Sequence, residues 1–323
     1  MKGSTKAGKP GSPAGHRSGK AQADSQGQSG LVVRGHGRHY LIEAEDGERV
    51  HCLTRGKKSD CVVGDRVRWQ RSSEHEGVIE AVQPRRNLLF RQDEWKTKSF
   101  AANLDRLLIL VAVEPQFSES QLTRALIAAA SAGISAHIIL NKTDLPGADA
   151  ARERLAPYKA MGQEVLELSL KGQPEAARQA LAPLLDGQST LVLGPSGTGK
   201  STLINLLVPD AQAQVGEISQ ALNSGRHTTT TTQWYWMDAQ RHNALIDSPG
   251  FQEFGLRQIP AAELAGWMAD FKPYLGQCRF HNCSHRHEPG CAVQAALQAG
   301  AISPSRYRIY DELWDELSAP PHY

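Results

Sequence analysis

The chain has 323 residues, with 36 Lys/Arg against 34 Asp/Glu, a net charge of +2 and five cysteines. That length suits two or three domains. No apolar run approaches a membrane span and the N-terminus lacks the apolar core of a signal peptide, so the composition excludes a helical membrane protein and predicts a cytoplasmic chain with reduced thiols. The near-neutral total hides an asymmetry: residues 1–100 hold 19 Lys/Arg against 12 Asp/Glu and the remainder 17 against 22, so polyanion contact is expected in the first third.

Residues 1 to about 30 are Gly, Ser, Lys, Gln and Pro with almost nothing to bury, and read as a disordered basic tail that either touches RNA or only solubilises. From 31 to 90, short β-rich runs at 31–33, 39–42, 50–53, 65–69 and 77–82 are punctuated by glycine, which predicts five strands and a small OB barrel. Arg55, Lys57, Lys58, Arg66, Arg68, Arg85 and Arg86 are candidates for phosphate contact on its surface, with a solvated charged face as the alternative.

An α/β core is expected from about residue 100, where the run at 103–113 reads as a buried strand feeding a helix at 118–132 that Gly133 caps. A second strand at 136–140 leads into Asn141-Lys142-Thr143-Asp144. An ionised Asp144 accepts hydrogen bonds only, which suits the two donors on the Watson–Crick edge of guanine and disfavours adenine. Asn141 would brace this loop and the Lys142 stem would lie along the base. After the strand at 164–168, Ser169, Leu170 and Lys171 are candidates for the remaining base-side loop.

The strand at 190–193 is followed by Gly194-Pro195-Ser196-Gly197-Thr198-Gly199-Lys200-Ser201 and an apolar helix start at 202–208, the strand, loop and helix setting of a phosphate loop. Its glycines let backbone N–H groups approach phosphate oxygens, and the helix N-terminus adds its positive dipole end. Lys200 would neutralise the β- and γ-phosphates of GTP or GDP, and Ser201 would offer its hydroxyl to Mg²⁺. Gly225-Arg226-His227 and the threonines 228–232 form a run in which one hydroxyl could complete the Mg²⁺ shell, though the run alone also fits a solvated edge strand. Trp234 and Trp236, two apart, are expected to line one strand face. The run at 244–246 places Asp247-Ser248-Pro249-Gly250 at the carboxyl end of a strand, where Asp247 can hold Mg²⁺ through water and the Gly250 N–H can meet the γ-phosphate. The base-selecting tetrapeptide precedes the phosphate loop, the reverse of an ordinary guanine-nucleotide switch protein, which predicts a circularly permuted GTPase.

The last third reads as mainly helical at 261–270, 292–299 and 306–317. Between these stretches, Cys278, Cys283 and Cys291 lie among His281, His285 and His287. Three thiolates and one imidazole make a closed tetrahedral Zn²⁺ site with a structural role, and the spacing by itself leaves the choice of histidine open.

Together, N-K-T-D, G-P-S-G-T-G-K-S-T, G-R-H-T-T-T, D-S-P-G and the cysteine-histidine cluster, in this order, resemble the circularly permuted ribosome-assembly GTPases, and most closely the ribosome small-subunit-dependent GTPase A family, over residues 30 to 320. The resemblance implies a Ras-like P-loop core between an N-terminal OB barrel and a C-terminal zinc-binding domain, with the 30S ribosomal subunit and 16S rRNA as partners in late subunit maturation. It extends the nucleotide-binding set to Thr202, and its C-x₄-C-x-H-x₅-C pattern selects Cys278, Cys283, His285 and Cys291 as the zinc ligands. The expected division is a tail at 1–30, a barrel at 31–90, a GTPase domain at 100–255 and a zinc-binding domain at 256–323, in a monomer. Phe251 stands where many GTPases carry a water-orienting glutamine, so slow intrinsic hydrolysis is expected. His227 is then the candidate to position water once a ribosome orders the threonine run, with loop packing as its other possible role. Because Asp247 leads directly into the C-terminal part, the GTP and GDP states are expected to differ in ribosome affinity. An RNA-binding scaffold without stimulated turnover and an ATP-driven enzyme are the competing readings, and Asp144 argues against the second.

Overall fold

The computed structural model describes Met1 and residues 27–55, 60–92, 97–209, 211, 232–248, 254 and 256–319. Of the expectations above, the tail up to residue 26, Lys57, Lys58, residues 225–231 including His227, Gly250 and Phe251 lie outside the described residues.

Five strands, β1 (Gln28–His36), β2 (His39–Ala44), β3 (Arg49–Thr54), β4 (Arg66–Arg71) and β5 (Glu76–Val82), close in the order β1-β2-β3-β5-β4-β1. β3 and β5 run parallel and the other pairs antiparallel, the connectivity of an OB barrel. Alternation drives the closure: Val32, Ile42, Val50, Val67, Trp69 and Ile79 form a buried cluster, while Arg66 and Arg68, flanking Val67, face solvent. The Trp69 indole is fully buried and donates to Ser29 O at 3.3 Å.

Arg85 and Arg86 depart from the open basic face that their sequence suggests. Arg85 grips the fully buried Asp65 carboxylate with Nε and Nη2 at 2.7 and 2.8 Å. A buried carboxylate costs several kcal/mol unless it is paired, so Arg85 is committed to the barrel itself. Arg86 donates to Asp105 Oδ1 at 2.6 Å and Asn103 O at 2.8 Å, tying the barrel to the start of the core. A hairpin of β6 (Leu88–Gln92) and β7 (Thr97–Ala102) makes the covalent connection.

The core strands are β8 (Arg106–Ala112), β9 (Ser135–Asn141), β10 (Val165–Glu167), β11 (Ser189–Leu193), β12 (Gln233–Trp236) and β13 (Ala244–Asp247), ordered β10-β9-β8-β11-β13-β12. All neighbours are parallel except β12 with β13. β8 is an unbroken apolar run because both of its faces are covered: Leu107, Ile109 and Val111 enter one hydrophobic cluster, and Leu108 and Leu110 enter another. The first face is covered by α1 (Glu119–Ser131) and α2 (Ala148–Ala160), the second by α3 (Pro174–Leu185) and α4 (Lys200–Leu207). Ser118 caps α1 by accepting from Gln121 N at 3.3 Å, and Gly133 beyond its end has φ 68°, the left-handed stop its sequence predicts.

β12 also pairs antiparallel with β1, Arg34 opposite Gln233, so barrel and core share one eleven-stranded sheet. The C-terminal part packs on the α1 side through α5 (Leu264–Trp267), α6 (Ala292–Gln298) and α7 (Pro304–Ser318). The helix expected over 261–270 is cut to a 3-10 turn at Ala261–Glu263 and the single turn of α5. The chain leaves the helix at Met268, which lets Asp270 meet the buried Arg306 guanidinium at 3.0 and 2.9 Å. Arg306 Nη1 donates to Thr123 Oγ1 at 2.5 Å, and Arg124 pairs with Glu316, so α7 is fixed to α1. Among the described residues, no helix is long and apolar enough to cross a membrane.

Candidate nucleotide and metal sites

The strand order reverses between β8 and β11, and open α/β sheets bind ligands outside the carboxyl ends of their strands at such a point. Three of the segments singled out in the sequence emerge at that edge: Asn141 to Asp144 from β9, Gly194 to Ser201 from β11, and Asp247 at the end of β13. Ser169 and Leu170 follow β10 at the same edge.

Gly194, Gly197 and Gly199 each answer a local demand. A Cβ on Gly194 would collide with Leu110 O, and one on Gly199 with Asn141 Nδ2. Gly197 and Gly199 also hold φ values of 82° and 111°, in the left-handed region that side chains avoid. Thr198 Oγ1 donates to Pro195 O at 2.8 Å and closes the turn. Lys200, the first residue of α4, folds back over the loop and donates to Gly194 O at 2.6 Å and Pro195 O at 3.3 Å. Burial lowers the Lys200 pKa, opposed by the nearby Asp247 carboxylate. An ammonium poised in this way gains from any anion brought into the loop.

Asn141 links two loops. Its Nδ2 donates to Thr198 O at 2.8 Å and its Oδ1 accepts from Leu170 N at 3.0 Å, with the residue only 3% exposed. Thr143 is stitched to the same neighbour strand, its N and Oγ1 both donating to Leu168 O at 3.2 and 3.1 Å. Lys142 adopts φ 64° and sends Nζ to Glu114 O at 2.6 Å, beyond the end of β8. The Ser169 hydroxyl donates to Asp144 Oδ1 at 2.5 Å and holds that carboxyl below the usual range. Its oxygen also accepts from Gly172 N at 3.1 Å. Ser169 therefore aims the Asp144 carboxylate and fixes its charge. The contribution of Glu114 was not legible, because it is a backbone carbonyl that any residue could supply.

Asp247 is 8% exposed and stands one strand away from the phosphate-loop strand, opposite Val192. Ser248 beside it is buried and donates to Val192 O at 2.9 Å, locking the end of β13 to β11. A carboxylate here and the Ser201 hydroxyl on α4 are hard oxygen donors of the kind Mg²⁺ takes. Thr202 lies on α4 beyond them. His227 and Gly250 fall outside the described residues.

The second site is a cluster of Cys278, Cys283, His285 and Cys291, whose ligand atoms all lie within 4.8 Å of one another. His285 takes φ 63°, which turns Nδ1 to 3.4 Å from Cys278 Sγ and 3.5 Å from Cys291 Sγ. His281 and His287 are not part of the group. Backbone N–H groups of His285, Ala292 and Gln294 point at the three sulfurs, each at 3.4 Å, as thiolates would require. The Tyr307 and Tyr310 hydroxyls donate to the carbonyls of His285 and Ser284 at 2.7 and 2.8 Å, so α7 carries the outer support of the loop. Three sulfurs and one imidazole nitrogen are the donor set of a structural zinc ion, and they leave no open position for catalysis.

The RsgA GTPase family profile matches residues 82–257 of the chain. The protein named "Small ribosomal subunit biogenesis GTPase RsgA" in Variovorax paradoxus (strain S110) is 61% identical over 294 residues, 90% of this chain and 92% of that one. Its namesake in Burkholderia pseudomallei (strain K96243) is 55% identical over 291 residues, with the same shares covered. The crystal structure of YjeQ from Thermotoga maritima superposes with a TM-score of 0.67 at 30% identity, over 91% of this chain and 99% of that chain. The structure of YloQ, described as a circularly permuted GTPase, gives a TM-score of 0.65 at 24% identity over 94% of this chain and 100% of that one, which bears on the fold alone.

Proposed function

The chain belongs to the RsgA GTPase family, and from this we propose that it binds the small (30S) ribosomal subunit, hydrolyses GTP to GDP and phosphate when stimulated by that subunit, and assists late 30S maturation. The relatives' name, with its small-subunit biogenesis role, supports the partner. The observation that carries the chemistry is the pair of hydrogen bonds made by the Asn141 side chain, to Thr198 O and from Leu170 N, which joins the base-side loop to the phosphate loop across the strand-order reversal.

In this reading the nucleotide is held by Asn141, Lys142, Thr143 and Asp144 at the base and by Gly194, Pro195, Ser196, Gly197, Thr198, Gly199, Lys200, Ser201 and Thr202 at the phosphates, with Asp247 and Gly250 at the Mg²⁺ and γ-phosphate end. Asp144 selects guanine, because its ionised carboxylate accepts both donors on that edge. Lys200 exchanges two loop carbonyls for phosphate oxygens, trading neutral acceptors for charged ones and gaining in hydrogen-bond strength. The Ser201 hydroxyl and, through water, Asp247 would hold Mg²⁺, which would supply positive charge beside the phosphates. His227 positions the attacking water. Cys278, Cys283, His285 and Cys291 would hold one zinc ion, whose role would be to keep the C-terminal part folded. The barrel, at residues 31–90, meets 16S rRNA through its exposed arginines, Arg66 and Arg68 among them. The GTPase domain spans 100–255 and the zinc-binding domain 256–323, in a cytoplasmic monomer.

The test is GTP hydrolysis with and without purified 30S subunits, with 50S subunits as the control. Strong stimulation by 30S alone is the expected outcome. Equal rates in all three conditions would remove the ribosome-gated reading and favour an RNA-binding scaffold that carries nucleotide.

A further inference from the structure

The barrel reaches the nucleotide site through β1. Arg34 on β1 lies directly opposite Gln233 on β12, and Gln233 lies directly opposite Asp247 on β13. The three stand abreast across adjacent strands, near the carboxyl edge of the sheet. With about 4.8 Å between neighbouring strands, the backbones of Arg34 and Asp247 are roughly 10 Å apart, and directly opposed residues send their side chains to the same face of the sheet. A register skip between Val32 and Arg34 sets this up: Val33 packs into the apolar cluster with Leu41, and Arg34 lies within electrostatic reach of Tyr235. Bulges commonly re-aim a side chain in this way.

Arg34 is half-buried, and the rest of the row is buried. Gln233 is 4% exposed, and its Nε2 is a buried donor with no partner among the described residues. Burial lowers the Arg34 pKa and raises that of Tyr235, whose hydroxyl feels both the Asp247 carboxylate and the Arg34 guanidinium. A cation in such a place acts at longer range than one at the surface.

The barrel is also seated firmly here. Glu43 on β2, 5% exposed, accepts from Trp236 Nε1 at 2.6 Å, pairs with Arg49 at 3.0 Å and lies 3.6 Å from Arg241 in the β12–β13 turn. Arg34 therefore moves with the barrel while Asp247 belongs to the core.

We propose that Arg34 is a specificity-determining residue supplied by the barrel, whose cation favours a nucleoside triphosphate over a diphosphate at the neighbouring site and so couples γ-phosphate occupancy to the seating of β1 on β12. The proposal rests on the phosphate-site reading given above. A triphosphate brings one more negative charge to the Asp247 end, and a unit charge about 10 Å away at an effective dielectric constant of about 20 shifts its affinity on the order of tenfold. Reciprocity then requires that the triphosphate hold β1 on β12 more tightly than the diphosphate does.

The experiment compares the full-length wild type with R34Q, R34K and Lys200→Ala, titrating GDP and a nonhydrolysable GTP analogue at fixed Mg²⁺. R34Q is expected to lose about tenfold of the analogue-over-GDP preference through weaker analogue binding, and R34K to keep most of it. An unchanged preference in R34Q, or equal weakening of both nucleotides, overturns the role of Arg34. Lys200→Ala separates this from the site reading: if that variant binds both nucleotides normally, the phosphate loop has been misassigned. Hydrogen exchange on the wild type gives a measurement independent of any variant's folding. Amides of β1 and β12 should be better protected with the analogue than with GDP, and equal protection would overturn the coupling.

Discussion

The side-chain amide of Asn141 donates to the carbonyl of Thr198 at 2.8 Å, bridging two loops that are 57 residues apart in sequence. The same side chain accepts from Leu170 N at 3.0 Å, so a single buried residue sets the spacing between the base-side and phosphate loops. Asn141→Ala leaves a buried backbone N–H and C=O without partners, at about 1–3 kcal/mol each. The expected outcome is a lower denaturation midpoint and at least tenfold weaker binding of both GTP and GDP. Titration of both nucleotides checks it, and weakening of only one would show that Asn141 is not a brace.

On the proposed reading Asp144 would carry the choice of base, and the Ser169 hydroxyl donates to its Oδ1. Replacing the carboxylate in Asp144→Asn introduces a donor where guanine also donates, so GTP affinity should fall by roughly a hundredfold or more. Xanthine has a carbonyl in place of guanine's exocyclic amine, and xanthosine triphosphate should bind the variant better than GTP does. A competition titration of the two nucleotides on wild type and variant decides the point.

The cysteine-histidine cluster, if it holds zinc as proposed, predicts a simple asymmetry among neighbouring residues. Cys283→Ser or His285→Ala should release the metal and lower the melting temperature, whereas His281→Ala and His287→Ala should retain one zinc ion per chain, because only His285 faces the three sulfurs. Metal analysis of the four purified variants, paired with thermal melts, is the measurement.

The tight loops at 141–144 and 194–201 and the cysteine-histidine cluster were legible because each rests on a short stretch of closely spaced residue types. Gly194, Gly197 and Gly199 sit where a Cβ would collide or φ is positive, and Asn141 and Asp144 stand at the end of an apolar strand. What stayed hidden depends on partners distant in the chain. Gln233 of β12 pairs with Arg34 of β1 about 200 residues earlier, and nothing in Gln-Trp-Tyr-Trp names that partner. Arg85 looks like any surface arginine until Asp65 is seen buried beneath it. The shortened helix at 264–267 follows from Asp270 being drawn to Arg306, a tertiary demand that overrides local helix propensity.

Arg306 and Asp270 form a buried pair, 4% and 9% exposed, on the contact between α7 and α1. Breaking it from one side strands a charge, so Arg306→Met should destabilise the chain by about 3–5 kcal/mol. Arg306→Met combined with Asp270→Leu should recover a large part of that loss, since apolar replacement of both partners removes the stranded charge. Denaturant unfolding of the single and double variants measures the coupling, and simple additivity would show that the pair acts as two independent groups.

Asp105 gives the fold a pH-dependent tie between barrel and core. Burial alone would raise its pKa, but the Arg86 guanidinium and the hydroxyl and amide of Ser189 outweigh it and hold the carboxyl below the usual range. The Ser189 groups donate to Oδ2 at 2.5 and 2.9 Å and Arg86 to Oδ1 at 2.6 Å. A carboxyl whose folded pKa lies below its unfolded value stabilises the fold fully above the unfolded pKa of about 3.9 and loses that contribution as pH falls through the folded pKa. Arg86 is largely exposed, so the contribution is discounted for solvent screening to about 1 kcal/mol. The stability difference between wild type and Asp105→Asn should therefore be constant from neutral pH down to about pH 5 and shrink below about pH 4. Urea denaturation of both proteins across that range tests it, and a difference that grows toward acid would reverse the sign assigned to the Arg86–Asp105–Ser189 contact.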